Sequence, residues 1–109
     1  MDMFYALAEP RRRKIIEILA KNGEQSATEI YVKFDITAQA VSQHLKVLLE
    51  SGLLKMEKRS QQHIYQINLE SIVELEQWLE HTKQLWSERL DNLDRYLEAE
   101  KKKSAKQNL

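Results

Sequence analysis

A mainly α-helical fold with one small β-hairpin, in the order α-α-α-α-β-β-α, is predicted by three features of this chain. Only two Gly and one Pro stand among its 109 residues, while Leu, Ile, Lys and Glu abound, which is the composition of helices joined by few tight turns. Apolar residues recur at helical spacing from Thr37 to Glu50 and again from Leu69 to about Glu100. Between those stretches, Leu53–Arg59 and His63–Asn68 alternate with a period of two, the mark of strands.

The length suits a single domain, small enough that any large apolar stripe favours a second copy. There is no cysteine, which removes disulfides, thiolate metal sites and thiol redox sensing together. No signal-like apolar run opens the chain, and no segment approaches the length needed to cross a bilayer. A cytoplasmic protein with no membrane partner is the expectation. Formal net charge is zero, which by itself argues against nucleic acid. The distribution argues otherwise: Met1 to Ile67 carries ten Lys and Arg against eight Asp and Glu, and Asn68 to Leu109 carries seven against nine. A nucleic acid would meet the first part, with the acidic helix turned away.

Met3–Ala8 (MFYALA) reads as a short apolar helical turn, and Pro10 suits the first turn of the next helix, where its missing N–H is unpaired in any case. Ile15, Ile16, Ile18, Leu19 and Ala20 give that helix a buried side, and Asn22-Gly23 stops it. Arg11, Arg12, Arg13 and Lys14 crowd its first turn against the helix dipole, as either a solvated or a phosphate-facing cluster. Ser26-Ala27-Thr28-Glu29 matches the S-x-x-E capping box and precedes Ile30, Tyr31 and Phe34 at core spacing.

Asp35-Ile36-Thr37 then makes a tight connection into the helix around which the chain is organised. Ala38, Val41, Leu45 and Leu48 recur on one face and would meet a core, whereas Gln39, Ser42, Gln43 and Lys46 recur on the other. Thr37 is placed to cap its start, and Gly52 to end it in a left-handed conformation. Two short helices across a turn of about three or four residues make a helix-turn-helix, although this turn lacks the usual Gly. The amides and hydroxyls of the outer face are groups that hydrogen-bond base edges in a DNA major groove. The following hairpin would be the wing of a winged helix-turn-helix. Ser60, Gln61 and Gln62 form its tip, with Lys58 and Arg59 beside it to meet a phosphate or the minor groove. The tip lacks the Gly or Asn of a tight primed turn, which points to a longer or more mobile loop.

From Leu69, the stripe of Ile72, Leu75, Leu79, Trp86, Leu90, Leu93 and Leu97, widened by Trp78, Leu85 and Tyr96, is more than a small domain covers by itself. It belongs to one long helix or to two joined by a bend. Burial against a second copy in a two-fold interface is the simpler outcome, with Phe4, Leu7, Leu79, Trp86, Leu90 and Leu93 as the expected contacts. Residues 1–100 are thus read as one DNA-binding domain including a dimerisation helix over 69–100, and 101–109 (KKKSAKQNL) as a flexible charged tail.

In this order of elements the chain resembles the ArsR/SmtB family of winged-helix transcriptional repressors. The resemblance is carried by Ala6-Leu7-Ala8-Glu9-Pro10 with Arg12-Arg13, by the run from Ala40 to Leu48 (AVSQHLKVL), by Gly52-Leu53 and by Tyr65-Gln66-Ile67-Asn68. Trp86-Ser87-Glu88-Arg89-Leu90-Asp91 with Leu93 is similar to the W-x-x-R-L-D-x-L ending of a subgroup without metal ligands. The resemblance implies DNA contacts from Gln39, Ala40, Ser42, Gln43 and His44, and Gln43 stands where the family often has Arg or Lys. Thr37, Ala38, Lys46, Lys58, Arg59, Gln61 and Gln62 complete the expected DNA-contacting set. The family's metal sensors carry a C-x-C pair where this chain has Tyr31-Val32-Lys33-Phe34, and the last helix offers only His81 with nearby acids. Neither a metal nor a cofactor is expected.

The three histidines also have plain structural readings: His44 as a DNA-facing or helix-packing residue, His63 as a strand residue at the base of the wing, His81 as a solvated or interface residue. An enzyme is not expected, since no nucleophile-base pattern and no Gly-rich phosphate loop is present. The competing function is a winged helix that docks protein, but such a helix would expose Leu, Phe or Trp where this one has Gln, Ser, Gln and Lys. The expectation is therefore a homodimeric regulator that binds an inverted repeat in double-stranded DNA. No inducer or other effector is named by the residues.

Overall fold

Each of the first four helices starts on a cap that its own sequence supplies. The computed structural model describes residues 2–107. Asp2 caps α1 (Met3–Leu7) by accepting the Phe4 N–H at 3.0 Å. Helix α2 (Pro10–Asn22) has Pro10 in its first turn, and Glu9 caps it, its carboxylate accepting the backbone N–H groups of Arg11 and Arg12 at 2.8 and 3.1 Å. Helix α3 (Ala27–Tyr31) opens on the full capping box, with the Glu29 N–H given to Ser26 Oγ and the Ser26 N–H given to Glu29 Oε1. Thr37 Oγ1 accepts the Ala40 N–H at 3.1 Å to start α4 (Ala38–Glu50).

The end of α4 is equally well defined. Gly52 has φ +83°, its N–H bonds the Leu49 carbonyl and the Leu53 N–H bonds the Leu48 carbonyl. This is the Schellman arrangement, closed by burial of both Leu48 and Leu53. The chain then runs into β2 (Leu54–Arg59) and β3 (Gln62–Ile67), paired antiparallel with Arg59 opposite Gln62. The tip is therefore the two residues Ser60 and Gln61, not the longer loop expected from the absence of Gly. Ser60 adopts φ +54° itself to make this turn. A third strand, β1 (Gln25–Ser26), pairs with β3, giving the order β1-β3-β2. Periodicity cannot announce a two-residue strand, and Ser26 serves at once as its last residue and as the cap of α3.

The core of this unit, which runs up to Val73, gathers Ala6, Ile15, Leu19, Ile30, Val41, Leu45, Leu48, Leu53, Leu54, Ile64 and Tyr65. Several expectations are corrected here. On α2 only Ile15 and Leu19 among the anticipated residues are buried; Ile16 and Ile18 are half-buried and Ala20 is exposed. Ala38 is exposed rather than core-facing, because the first turn of α4 extends beyond the packed part of its inner face. The link between α3 and α4 spans residues 32–37, longer than the expected turn. Lys33 and Phe34 N–H groups bond carbonyls three residues back instead of four, and exposed, β-branched Val32 adds no burial to sustain another helical turn.

The second unit, from Glu74 on, belongs to α5 (Leu69–Gln107), one continuous helix of 39 residues. Its start is anchored in the first unit, where Asn68 Nδ2 and Ser71 Oγ both donate to the Gly52 carbonyl, at 2.8 and 2.7 Å. The helix continues past Glu100, where a flexible tail is expected from charge alone. Lys and Ala are good helix formers, and cations in the last turns favour the negative end of the helix dipole. Asn108 and Leu109, the end of that tail, lie outside the described residues. Side chains from Glu76 to Ala105 are all exposed.

Candidate nucleic-acid interface

Burial sorts the residues of α4 into two faces. Val41, Leu45 and Leu48 are fully buried, while Gln39, Ser42, Gln43 and Lys46 are exposed together with Thr37 and Ala38, and Ala40 is half-buried at the border. Caps at both ends and a buried stripe hold the backbone of this helix, so its outer amides and hydroxyl are displayed from a rigid support. No carboxylate interrupts the face before Glu50.

His44 stands apart from that outer row. Its half-buried ring turns toward the junction of α1 and α2, with Nδ1 3.4 Å from Arg12 Nη1 and 3.9 Å from Glu9 Oε2. The first contact has the geometry of a hydrogen bond donated by Arg12 when Nδ1 carries no proton. This is the helix-packing alternative for His44.

The basic run at the start of α2 is not uniformly solvated. Arg12 is buried, and its Nε and Nη2 donate to the carbonyls of Ala6 and Tyr5 at 2.7 and 3.2 Å, its guanidinium lying 5.4 Å from the Tyr5 ring centre. Arg13 Nη1 donates to the Leu7 carbonyl at 2.6 Å. Both side chains therefore satisfy carbonyls at the C-terminal end of α1, whose five residues leave most of them without an intrahelical partner. Lys14 lies 5.2 Å from the centre of the Phe34 ring, and Arg11 is exposed. The sequence held a signal for this: a very short helix lacking its own basic residue, followed at once by arginines. Glu9 feels a desolvation penalty that raises its pKa. The N–H groups of Arg12 and Arg11 and the nearby His44 and Arg11 charges outweigh it, and the carboxyl is held below its ordinary value.

On the wing, Lys58, Gln61 and Gln62 are exposed, as is His63 at the base of the tip. Arg59 is also exposed, but its guanidinium is paired with two carboxylates, Glu57 on the same strand and Glu24 on the α2–β1 connection. Periodicity gives no sign of the Glu24 partner, since nothing local in sequence connects residues so far apart. Among the described residues, no three His, Asp or Glu side chains are grouped to hold a metal ion, and no helix is long and apolar enough to cross a membrane.

The family model of a helix-turn-helix domain matches residues 7–57, from the end of α1 into β2. The transcriptional repressor SdpR of Bacillus subtilis is 28% identical over 78 residues, covering 72% of this chain and 86% of that protein. YuzN of the same organism, an uncharacterized HTH-type transcriptional regulator, is 31% identical over 85 residues, covering 72% of this chain and 92% of its own length. An ArsR-like transcriptional regulator from Rhodococcus sp. RHA1 superposes with a TM-score of 0.79 at 25% identity, over 88% of this chain and 87% of that one. The chain belongs to the ArsR/SmtB family of winged helix-turn-helix regulators. As an ArsR-family protein it is a DNA-binding transcriptional regulator and not an enzyme. Within the family fold, α3 and α4 are the helix-turn-helix pair and β2–β3 the wing. A further ArsR-family likeness is the homodimeric winged helix-turn-helix domain Mb0332 from Mycobacterium bovis, with a TM-score of 0.60 at 25% identity over 74% of each chain.

Proposed function

We propose that this ArsR-family protein is a cytoplasmic, homodimeric repressor that binds an inverted repeat in its own or a neighbouring promoter and blocks transcription from it. The observation that carries the reading is the two-faced α4, whose buried Val41, Leu45 and Leu48 hold an outer row of Gln39, Ser42, Gln43 and Lys46. Amide side chains match the paired donor and acceptor of adenine in the major groove, and each good pairing discriminates by about 1–3 kcal/mol. Backbone amides and Lys side chains, Lys46 and Lys58 among them, would fix the register on phosphate without reading sequence. Thr37, Ala38 and Ala40 border the reading face, and Gln61 and Gln62 extend it through the wing.

Dimerisation is supported by the long exposed apolar stripe of α5. Leu79, Trp86, Leu90 and Leu93 are all at least two-fifths exposed, as is Phe4 on α1, and Leu7 is half-buried. A two-fold pair would present two α4 helices to half-sites one or two helical turns apart. The homodimeric Mycobacterium bovis relative and the SdpR repressor support assembly and sign of regulation respectively.

Fluorescence anisotropy on a duplex from the upstream region, against a scrambled duplex and over a range of salt, tests this. Selective binding with a steep salt slope is expected. Gln43→Ala is expected to lose about tenfold or more of the preference for the selected duplex while keeping the salt slope. An unchanged preference would remove Gln43 from the reading face.

A further inference from the structure

Arg59 is the last residue of β2, immediately before a two-residue turn in which Ser60 holds φ +54°. Its Nε and Nη2 donate to Glu57 Oε1 and Oε2 at 3.1 and 3.0 Å. Nη2 also donates to Glu24 Oε2 at 3.0 Å, and Nη1 donates to Glu24 Oε1. Glu57, two positions back, shares its face of the strand. Glu24 belongs to the α2–β1 connection, 35 residues away in sequence. The side-chain hydrogen bond to Arg59 lowers the Glu24 pKa, and those to Glu24 and Glu57 raise that of Arg59.

We infer that Arg59 is a positioning residue of the wing, a latch that pins the hairpin to the α2–β1 connection through Glu24, and not a phosphate contact. Every nitrogen of its planar fork already faces a carboxylate, the pairing for which that geometry is best suited. One guanidinium between two carboxylates leaves the cluster with a formal charge of minus one. A DNA phosphate approaching it would have to displace a carboxylate and sit beside the other, against like-charge repulsion. The latch also acts where support is needed. Toward the tip from Ile64, where the pairing with β1 ends, the wing has only two strands, an arrangement marginal in water by itself, and left-handed φ is uncommon outside Gly. Holding the residue just before Ser60 holds the turn. Loosening the latch weakens DNA binding through a displaced wing, while the number of phosphates neutralised stays the same.

This rests on the DNA-binding reading above, and the test separates the two. Arg59→Gln, Glu24→Gln and the double variant are made in the full chain. In the protein without DNA, each single variant is expected to speed amide hydrogen exchange at the wing tip, residues 60–63, by about two- to fivefold, the range of an exposed ion-pair network. The double variant is expected to be no faster than either single one. On a duplex selected from random sequence, both single variants are expected to weaken binding by a similar factor. The slope of log K against log salt stays at the parent value, because neither substitution removes a charge that neutralises phosphate. If Arg59→Gln flattens that slope by about one while Glu24→Gln tightens binding, Arg59 is a phosphate contact restrained by Glu24 and the latch is overturned. Unchanged wing exchange in both single variants overturns it as well. If the parent protein selects no duplex, the DNA reading fails, and the exchange measurement still decides the latch.

Discussion

Arg12 carries a full charge at a buried position, and what makes that tolerable is the set of partners waiting there. The carbonyls of Tyr5 and Ala6, the Tyr5 ring and His44 surround a guanidinium that would otherwise meet a large desolvation penalty. Removing it takes the side-chain donor from the Ala6 carbonyl and leaves the Tyr5 carbonyl with the Ala8 N–H, so Arg12→Leu is expected to lower unfolding free energy by about 1–3 kcal/mol in urea titrations. Arg11→Ala, one position away on the exposed side, is expected to change it by no more than about 0.5 kcal/mol. Glu9 supplies a pH dependence at the same junction. Its folded pKa lies below the ordinary 4.5, so its contribution is complete above that value and disappears as pH falls through the folded one. Thermal unfolding from pH 5 to pH 3 should therefore decline less steeply in Glu9→Gln than in the parent protein. Equal slopes would mean that the cap carries no net linkage.

Among the elements, α4 shows why some features were legible in sequence and others were not. Caps are local: Thr37, the Ser26-to-Glu29 box, Pro10 and Gly52 act within one turn of where they stand, and each is found in the role its position implies. Gly52 can be tested directly. A Cβ there would meet Ser71 Oγ at 3.5 Å, an ordinary contact, so the φ of +83° and not crowding sets the cost. Gly52→Ala is expected to destabilise by about 1–2 kcal/mol in the same urea titrations, and a cost near zero would mean that the end of α4 shifts without strain. By contrast, β1, the length of the α3–α4 link and the two-residue wing tip depend on pairing and burial across the fold. The register of β2 with β3 requires a two-residue tip, so Ser60 adopts a backbone conformation its identity does not favour. The outer row of α4 was readable from periodicity alone. The inward turn of His44 was not, because its partners lie on the α1–α2 junction.

For the whole molecule, the exposed apolar side chains of α5 make assembly the decisive property. Trp78, Leu79, Leu85, Trp86, Leu90, Leu93, Tyr96 and Leu97 are each more than two-fifths exposed on one continuous helix, far more than scattered surface hydrophobics. Trp86→Ala is expected to shift the protein toward monomer in sedimentation velocity and to weaken DNA binding in parallel, since one α4 cannot span two half-sites. A variant that sediments as a dimer would take Trp86 out of the interface. The sequence by itself determined the types of the longer elements, the caps at Ser26, Thr37 and Gly52, the two faces of α4 and the apolar stripe of α5, because those follow from periodicity and from chemistry within a turn. Only the tertiary structure decided that Arg12 is a buried cap for α1, that His44 turns inward and that Arg59 is tied to Glu24. Each of those depends on residues brought together from distant positions, and a side chain's charge does not reveal which partner folding will place beside it.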